Sequence, residues 1–288
     1  MEQSGPRTGA VLKPISAQTR LAGVIGDPVR HSLSPRIHNA AFAATNLDWA
    51  YLAFPVASGR GGEAIGAMDV LGIEGLSVTM PHKADVAKAV DRLTPSAERL
   101  GVCNCVFRDA QGRIWGDNTD GDGLVQSLKV EGVDVAGAAL MVVGTGGAAR
   151  SIIEALGRHG VENVGVVSRA PQRSMGELAS LGSGVHAAQS NSVAQYDIII
   201  NASPIGMENG PDPDGLPVDT TNLGENHVVV DIVYEPRRTK LLEHASRSGA
   251  RTINGVGMLV HQAAAQFAHW TGLDAPVDVM QRAGFELD

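Results

Sequence analysis

The stretch Ala139-Leu-Met-Val-Val-Gly-Thr-Gly-Gly-Ala-Ala-Arg150 decides the fold, because it runs from an apolar strand through a glycine-rich turn into a helix. Its first five residues show little polar alternation, which is typical of a strand in a sheet covered on both faces. The turn has the spacing G-x-G-x-x-A. Gly144 permits the tight turn, Gly146 lets backbone come close to a pyrophosphate, and Ala149 is small enough for the helix to pack on the strand.

A helix and a second strand follow this turn at the distances that a βαβ unit requires. The helix is predicted over Arg150–His159 and the strand over Asn163–Val167. Gly147 and Ala148 stand where the helix begins, and free backbone N–H groups at a helix start attract phosphate. Glycine turns after strands also occur in proteins that bind no nucleotide. In this context, however, the sequence predicts a Rossmann-type dinucleotide-binding domain.

The end of the second strand indicates which dinucleotide is bound. An NAD site usually places Asp or Glu about 20 residues past the glycines, where the acid binds the ribose 2′-hydroxyl. Ser168, Arg169 and Arg173 stand there instead, and no carboxylate occurs before Glu177. An arginine can hold a 2′-phosphate with paired, charge-assisted hydrogen bonds, whereas an acid would repel it. NADP is therefore the expected cofactor; the alternative is that both arginines are merely solvated.

Length and composition are those of an ordinary globular protein with two domains. The chain has 288 residues, of which 43% are hydrophobic and 19% charged, and this length favours two separate cores. The formal net charge of −8 gives no electrostatic help to nucleic-acid or anionic-membrane binding, so neither is an expected partner. The longest apolar runs, such as Ile198–Ile200 and Val228–Val230, are strand-sized and far short of a membrane span.

Several further features point to a reduced cytoplasmic enzyme. Met1–Lys13 lacks the apolar core of a secretory signal and is interpreted as a short disordered lead-in. Cys103 and Cys105 would share one face of a strand, where a disulfide between them would be strained. The sequence contains no H-x-x-x-H pair and no C-x-x-C, so no metal is expected. No long heptad or apolar patch marks an interface, so monomer and homodimer both stay open.

Strand-like runs alternate with helix-like segments along the whole chain, which predicts α/β layers with mostly parallel strands. Strands are predicted over Leu21–Ile25, Trp49–Phe54, Gly75–Thr79, Val102–Phe107, Arg113–Trp115 and Asp197–Ile200, and helices over Pro35–Thr45, Gly61–Leu71, Asp120–Val130 and Met258–Trp270. The helix Asp120–Val130 would link the two halves of the chain. The hydrophobic pattern of the helix Met258–Trp270 does not indicate against which half it packs. Asn201–Met207 would lie at a ligand-binding sheet edge, although an ordinary loop fits its composition equally well.

Five further strings carry most of the remaining information about function. They are Gly26–Asn39 (GDPVRHSLSPRIHN), Ser77–Lys83 (SVTMPHK), Gly101–Asn104 (GVCN), Gly116–Gly121 (GDNTDG) and Gly255–Ala264 (GVGMLVHQAA). Together, and with the dinucleotide motif between them, these strings strongly resemble the shikimate dehydrogenase family. The likeness extends over nearly the whole chain, in the order in which that family has its motifs.

The resemblance implies a two-domain α/β fold: a mixed α/β substrate domain over residues 1–119, a Rossmann-type NADP-binding domain over 120–255, and a segment 256–288 that returns to the substrate domain. It also implies the reversible reduction of 3-dehydroshikimate to shikimate with NADPH, in chorismate and aromatic amino-acid biosynthesis. The substrate contacts that it implies fall on Ser32, Ser34, Thr79, Lys83, Asn104, Asp120 and Gln262, with Tyr234 also near the substrate and Gly255 near the nicotinamide.

Two strings depart from the pattern of that family. Where the family commonly has Ala-Val-Asn-Thr, residues 102–105 read Val-Cys-Asn-Cys. Where it usually has Asn-Arg-Thr, residues 168–170 read Ser-Arg-Ala. The central asparagine, Asn104, and the central arginine, Arg169, are both kept, so the implied reaction and cofactor stand.

The chemistry of the implied reaction suits the residues. Shikimate is a small ring with three hydroxyls and one carboxylate, and short polar side chains can bind it. When hydride leaves the alcohol carbon, a positioned acid/base must also take the O–H proton. We hypothesise that Lys83 is this acid/base and that Asp120 orients both Lys83 and a substrate hydroxyl.

Each of these residues also has an ordinary structural interpretation. Ser34 before Pro35 is the favoured arrangement for capping a helix. Thr79 could simply end a strand, Gln262 could be a solvated helix residue, Lys83 a surface lysine, and Asp120 a carboxylate stabilised by a helix dipole. His82 adjoins Lys83 but is interpreted as a solvent-facing histidine at a helix start.

Two other functions compete with the NADP-dependent shikimate dehydrogenase. One is a relative that acts on quinate or on both substrates, with NAD in place of NADP. The pair Ser32 and Ser34 opposes quinate, whose extra C1 hydroxyl would occupy the room of side-chain donors, and Arg169 opposes NAD. The other is a non-catalytic NADP-binding sensor, which should have lost the proton-transfer pair, but Lys83 and Asp120 are both present.

Overall fold

Two six-stranded sheets, each packed against helices, form the framework of residues 13–285, which the computed structural model describes. Residues 1–12, most of the expected lead-in, and residues 286–288 lie outside the described residues. The expected α/β class is confirmed, with one mixed sheet and one parallel sheet. No helix within the described range is long and apolar enough to span a bilayer.

The first sheet is mixed. Its strands are β1 (Arg20–Gly26), β2 (Trp49–Pro55), β3 (Gly75–Val78), β4 (Arg92–Leu93), β5 (Cys105–Arg108) and β6 (Ile114–Asp117), in the order β2-β1-β3-β5-β6-β4. β1 runs parallel to β2 and β3, whereas β5 is antiparallel to β3 and β6. The reversal between β5 and β6 is stabilised by Asp109, whose carboxylate accepts the backbone N–H groups of Gln111 and Arg113 at 2.9 and 3.0 Å.

The second sheet is entirely parallel. Its strands are β7 (Leu140–Val143), β8 (Val164–Val167), β9 (Val185–Ala188), β10 (Ile198–Asn201), β11 (Val228–Asp231) and β12 (Arg251–Asn254), in the order β12-β11-β10-β7-β8-β9. Read from the other edge, this is the 3-2-1-4-5-6 order of a doubly wound sheet. Its crevice lies beyond the carboxyl ends of β7 and β10, where the strand order reverses.

Helices surround both sheets. They are α1 (Ser34–Ala44), α2 (Gly61–Leu71), α3 (Lys83–Ala87), α4 (Pro95–Leu100), α5 (Asp120–Val130), α6 (Gly147–Arg158), α7 (Pro171–Leu178), α8 (Lys240–Arg247), α9 (Val256–Thr271) and α10 (Val277–Phe285). The apolar strand β7 is buried on both faces as predicted: Leu140 and Val142 pack into the core that includes α5 and α6, and Met141 and Val143 into the core that includes α8.

The C-terminal helices belong to the core of the first sheet. Val260 and Phe267 of α9 and Met280 of α10 pack in one cluster with Ala22 and Val24 of β1. The sequence did not indicate against which half of the chain the last helices pack. This cluster shows that they pack against the first sheet, so the end of the chain is joined to its beginning.

Helix α5 lies against both α6 and α9 with almost no side chain between the backbones. A Cβ built on Gly121 would stand 2.1 Å from the carbonyl oxygen of Ser151 in α6, and one on Gly123 would stand 2.8 Å from the backbone N of Gln262 in α9. Only glycine allows both contacts. The first turn of α5 is thereby fixed between the two halves of the chain.

The observed elements correct two details of the sequence prediction. Helices α2 and α5 cover the predicted residues, but β5 begins at Cys105 and not at Val102. Cys103 therefore precedes the strand and packs on one face of the sheet, while Cys105 packs on the other. The prediction that they share a face is wrong, although both are free thiols. Burial raises the pKa of Cys103 to about 12, so it stays a neutral core residue.

The contact between α5 and α6 makes Gly121→Ala a test of this packing. The added methyl would collide with backbone at Ser151, so the helices must separate, and overpacking of this kind costs about 1–3 kcal/mol. Thermal unfolding should therefore occur at a lower temperature. The matched control is Gly66→Ala in α2, where a Cβ meets nothing within 4 Å among the described residues; it should raise stability by about 0.5–1 kcal/mol. Equal stability of the two variants would contradict the close packing.

Candidate active site

The site is built around an ion pair between the first residues of two helices. Lys83 begins α3 and Asp120 begins α5, and Lys83 Nζ lies 2.5 Å from Asp120 Oδ2. Their side chains are only 19% and 10% exposed, so the interpretation of Lys83 as a surface lysine is wrong. A partly buried charge of this kind is stable because it is paired. The two groups that the sequence proposed as a proton-transfer pair are thus in direct contact.

Asn104 fixes the other oxygen of the carboxylate. Its Nδ2 donates to Asp120 Oδ1 at 2.6 Å, while its Oδ1 accepts the backbone N–H of Thr119 at 2.8 Å. Each carboxylate oxygen of Asp120 therefore has its own donor, Asn104 on one side and Lys83 on the other. This arrangement holds the ion pair in one orientation.

Gln262 joins the same cluster from α9. Its side chain is 8% exposed, so the alternative of a solvated helix residue is wrong. Gln262 Oε1 lies 3.4 Å from Asn104 Nδ2, and Gln262 Nε2 donates to Leu259 O at 2.9 Å. The C-terminal helix thus places a polar amide beside Asn104, and through it beside Asp120.

The two serines and Thr79 follow the carboxyl ends of β1 and β3 in the first sheet. Ser34 is buried and is the first residue of α1, and the helix is preceded by Leu33 with no side-chain cap. The helix-capping interpretation of Ser34 is therefore wrong. Ser32 instead accepts the backbone N–H of Ser34 at 3.2 Å. Thr79 directly follows β3, and its backbone N–H donates to Ile25 O at 3.0 Å.

His82 is buried and does not face solvent as predicted. Its Nε2 lies 2.7 Å from the carbonyl oxygen of Val56. Because a carbonyl can only accept, Nε2 carries the ring proton. This contact ties the residue before Lys83 to the loop after β2, so His82 anchors the start of α3.

Tyr234 and Gly255 reach the site from the second sheet. Tyr234 follows β11 and packs against the core of the first sheet, and burial raises the pKa of its phenol above the ordinary range. Gly255 is buried between β12 and α9, where a built Cβ would stand 2.0 Å from Ile232 O. No larger residue fits there, so glycine brings the start of α9 against the loop after β11.

The glycine turn after β7 has the properties that the sequence predicted. Gly144 has φ +111°, and a Cβ there would stand 2.9 Å from Ala202 O, so both its conformation and its surroundings require glycine. Gly146 faces open space among the described residues, and α6 begins at Gly147 with no side-chain cap. Ala148 follows within the first turn. The N–H groups of this turn are thus available to a phosphate.

The glycine turn after β7, called below the nucleotide turn for its predicted role, lies beside Lys83 of the ion pair. A Cβ built on Gly147 would stand 3.9 Å from Lys83 Cδ. The first turn of α6, which packs on the second sheet, therefore lies near the side chain of Lys83, which comes from the first. Lys83 is the residue that the sequence predicts as the acid/base.

The loop after β8 and the start of α7 carry two exposed arginines, called here the basic loop. Arg169 and Arg173 are exposed, and within residues 13–285 neither has a carboxylate within salt-bridge distance. Glu177 is instead paired with Arg150. Ser168 accepts the N–H of Ala170 at 3.1 Å and lies 3.1 Å from the hydroxyl of Ser174, which shapes the loop. Two unpaired guanidinium groups at this position suit a ribose 2′-phosphate.

Sequence reasoning missed several polar residues that support the site. Gln266 lies one turn beyond Gln262 on α9, and this i, i+4 spacing was the signal that could have found it. Asn201 opens the segment Asn201–Met207 that the sequence placed at a sheet edge, but its partners were not foreseen: it is hydrogen-bonded to Asp231 at 2.9 Å, and Thr239 donates to Asp231 at 2.6 Å. Burial raises the pKa of Asp231 to about 6 against these donors. This second cluster holds the loops at the carboxyl edge.

Comparison with known proteins agrees with this geometry. Three family profiles match in turn: the shikimate dehydrogenase substrate binding domain over residues 24–106, the coenzyme F420-dependent NADP oxidoreductase family over residues 139–234, and the shikimate 5'-dehydrogenase C-terminal domain over residues 255–283. The shikimate dehydrogenase (NADP(+)) of Methanopyrus kandleri is 40% identical over 285 residues, covering 94% of this chain and 97% of that protein.

Solved structures show the same fold. Shikimate 5-dehydrogenase from Thermus thermophilus, in complex with NADP(H) and shikimate, is 31% identical with a TM-score of 0.85, covering 92% of this chain and 98% of that one. Quinate dehydrogenase from Corynebacterium glutamicum, in complex with NAD, is 28% identical with a TM-score of 0.84, covering 93% and 99%.

The doubly wound sheet with its glycine turn, beside a partly buried lysine–aspartate pair, is typical of a nucleotide-dependent dehydrogenase of the α/β class. The similarity to known proteins shows which dehydrogenases these are: the chain belongs to the shikimate dehydrogenase family.

The two exposed arginines after β8 predict a higher affinity for NADP than for NAD. Arg169→Ala should weaken NADP binding by about tenfold or more, since a charge-assisted contact to phosphate is worth about 1.5–3 kcal/mol. Binding of NAD, which lacks the phosphate, should change little. Titration calorimetry with each dinucleotide measures both constants, and Arg247→Ala, an exposed arginine on α8, is the control. Unchanged NADP binding in Arg169→Ala would contradict the assignment.

Proposed function

We propose that this chain catalyses the reversible, NADP-dependent interconversion of 3-dehydroshikimate and shikimate, a step of chorismate biosynthesis. The observation that carries the proposal is the position of the Lys83–Asp120 pair beside the glycine turn, where a Cβ built on Gly147 would stand 3.9 Å from Lys83 Cδ. Support also comes from relatives named shikimate dehydrogenase (NADP(+)) that match nearly the full chain.

The residues around the glycine turn fit a bound NADP. The pyrophosphate would be held by the backbone of Gly144, Gly146, Gly147 and Ala148. The 2′-phosphate would be held by Arg169 and Arg173, with the loop at Ser168. The nicotinamide would lie beside Gly255. NADP, when bound, supplies the hydride chemistry, and the protein supplies geometry and proton transfer.

The polar residues of the first sheet would hold the substrate. Together with the ion pair, they offer hydroxyl and amide groups that suit three ring hydroxyls and a carboxylate. These residues are Ser32, Ser34, Thr79, Asn104, Gln262 and Tyr234. Lys83, as the ammonium, would give a proton to the substrate oxygen when the ketone is reduced; in the oxidation direction it would first release that proton to solvent and then, as the neutral amine, take the hydroxyl proton. Asp120 would keep the ammonium group in place and accept a second substrate hydroxyl.

The division into domains follows from the same proposal. Residues 1–119 and 256–288 would form the substrate domain, and residues 120–255 the NADP-binding domain, with α5 beginning the second. We further infer a cytoplasmic enzyme, monomeric or homodimeric, that binds no nucleic acid. The net charge of −8 supports the last point.

Removing the lysine tests the proton-transfer role. Lys83→Ala should lower kcat for shikimate oxidation by about 10²–10⁴-fold, the usual contribution of a positioned acid/base. NADP affinity should stay close to that of the wild type. Lys88→Ala, which removes an exposed lysine just after the same helix, should keep wild-type kcat. An active Lys83→Ala enzyme would refute the assignment.

Substrate and cofactor choice can be measured in one set of assays. Rates with shikimate and with quinate, each with NADP and with NAD, should be highest for shikimate with NADP, because the hydroxyls of Ser32 and Ser34 would take the space that the extra quinate hydroxyl needs and Arg169 would favour the 2′-phosphate. Faster turnover of quinate with NAD would favour a quinate dehydrogenase, the activity named for the Corynebacterium glutamicum structure. Dinucleotide binding without any turnover would favour a sensor.

A further inference from the structure

A line of buried hydrogen bonds runs from the core of the first sheet to Gln262. Its members, called here the Tyr51–Gln262 chain, are Tyr51 on β2, Ser77 on β3, and Gln266 and Gln262 on α9. Tyr51 Oη lies 2.6 Å from Ser77 Oγ, Ser77 Oγ lies 2.5 Å from Gln266 Oε1, and Gln266 Nε2 lies 2.7 Å from Gln262 Oε1. All four side chains are buried, so little water competes for these bonds.

Two backbone carbonyls determine which end of each amide is the nitrogen. Gln262 Nε2 lies 2.9 Å from Leu259 O, and Gln266 Nε2 lies 3.3 Å from Asn104 O. Because a carbonyl can only accept, the amide atom beside it must be the NH₂ group. Ser77 then has to give its one hydroxyl proton to Gln266 Oε1, and Tyr51 has to donate to Ser77. Every bond in the chain therefore donates in the direction of Gln262.

The donor at the start of the chain is held firmly. Burial raises the pKa of Tyr51 far above its ordinary range, so the phenol keeps its proton. The ring of His38 stacks on Tyr51 with centroids 4.4 Å apart, and the ring of Trp270, on the same helix as Gln262, lies 5.8 Å away. The direction of donation does not change with pH in the neutral range.

These bonds leave Gln262 with a single unused hydrogen-bonding group. Its Oε1 accepts from Gln266 Nε2 and faces Asn104 Nδ2 at 3.4 Å. Its Nε2 gives one proton to Leu259 O. The second N–H proton meets no acceptor among residues 13–285. Gln262 can therefore offer a ligand a donor, but not its carbonyl.

We propose that Gln266 is a positioning residue for the dehydrogenase reaction: it holds the amide of Gln262 so that an N–H group, and not the carbonyl oxygen, meets a substrate hydroxyl oxygen. The inference rests on the proposed function, in which Gln262 touches the substrate. Gln266 itself does not; it acts through Gln262, and Ser77 and Tyr51 fix its orientation in turn.

The test is Gln266→Met, which fills a similar volume with a flexible apolar side chain. Without the Gln266 donor, the amide of Gln262 can turn over, so KM for shikimate should rise about tenfold, the equivalent of one directed hydrogen bond. The value of kcat and KM for NADP should stay within about twofold, since neither the ion pair nor the nucleotide turn is altered.

A double-mutant cycle separates positioning from general structural support. In a Gln262→Ala background, Gln266→Met should have no further effect on KM, because the side chain it orients is already absent. The matched control is Phe267→Leu, the next residue of α9, which packs in the core of the first sheet. It should lower the unfolding temperature but leave KM for shikimate unchanged.

Several outcomes would overturn the inference. One is a wild-type KM in Gln266→Met, and another is an equal rise in KM with and without Gln262. Should Gln266→Met fail to fold, Ser77→Ala removes the donor to Gln266 and should raise KM about threefold; an unchanged KM there would also overturn it. Failure of the proposed function is separate, because the wild-type enzyme itself would then not oxidise shikimate.

Discussion

The close contact of α5 with α6 and α9 determines where every part of the site lies. Gly121 and Gly123 bring backbone against backbone on both sides of this helix, and its first residue is Asp120. A carboxylate at this point lies where the two sheets meet. Lys83, from the first sheet, and the nucleotide turn, from the second, then come together around it. Larger residues in α5 would separate these groups, because packed backbones cannot yield locally.

The ion pair depends on this packing for its geometry and on hydrogen bonds for its stability. Two charges with little exposure cost free energy unless each is fully bonded. Asn104 supplies the second donor to Asp120, and Thr119 holds Asn104 through its backbone N–H. A donor on each carboxylate oxygen favours one arrangement of the Asp120 side chain. The orientation of the ion pair is in this way a consequence of how the neighbouring amide of Asn104 is bonded.

Much of the cofactor half could be predicted from sequence, because a strand, a glycine turn and a helix are local features. The boundaries of α5 and the residues of the glycine turn are as predicted. The surroundings of single side chains could not be predicted: His82 is buried against Val56, and Gln262 is buried beside Asn104. Both depend on contacts between segments distant in sequence, which no local pattern encodes. Gln262 was named through the family resemblance, whereas its hydrogen bonds required the fold.

A second link between the two halves of the chain lies at Glu154. Glu154 of α6 is 1% exposed and accepts hydrogen bonds from Ser96 at 2.9 Å and from Arg99 and Arg158 at 3.0 Å. Ser96 and Arg99 belong to α4, so this carboxylate joins a helix of the first sheet to one of the second. Separation there would break the bonds from Ser96 and Arg99 and leave Glu154 with Arg158, which lies on the same helix. The two sheets are thus joined at two places, at α5 and at Glu154, and α5 begins with the aspartate of the ion pair.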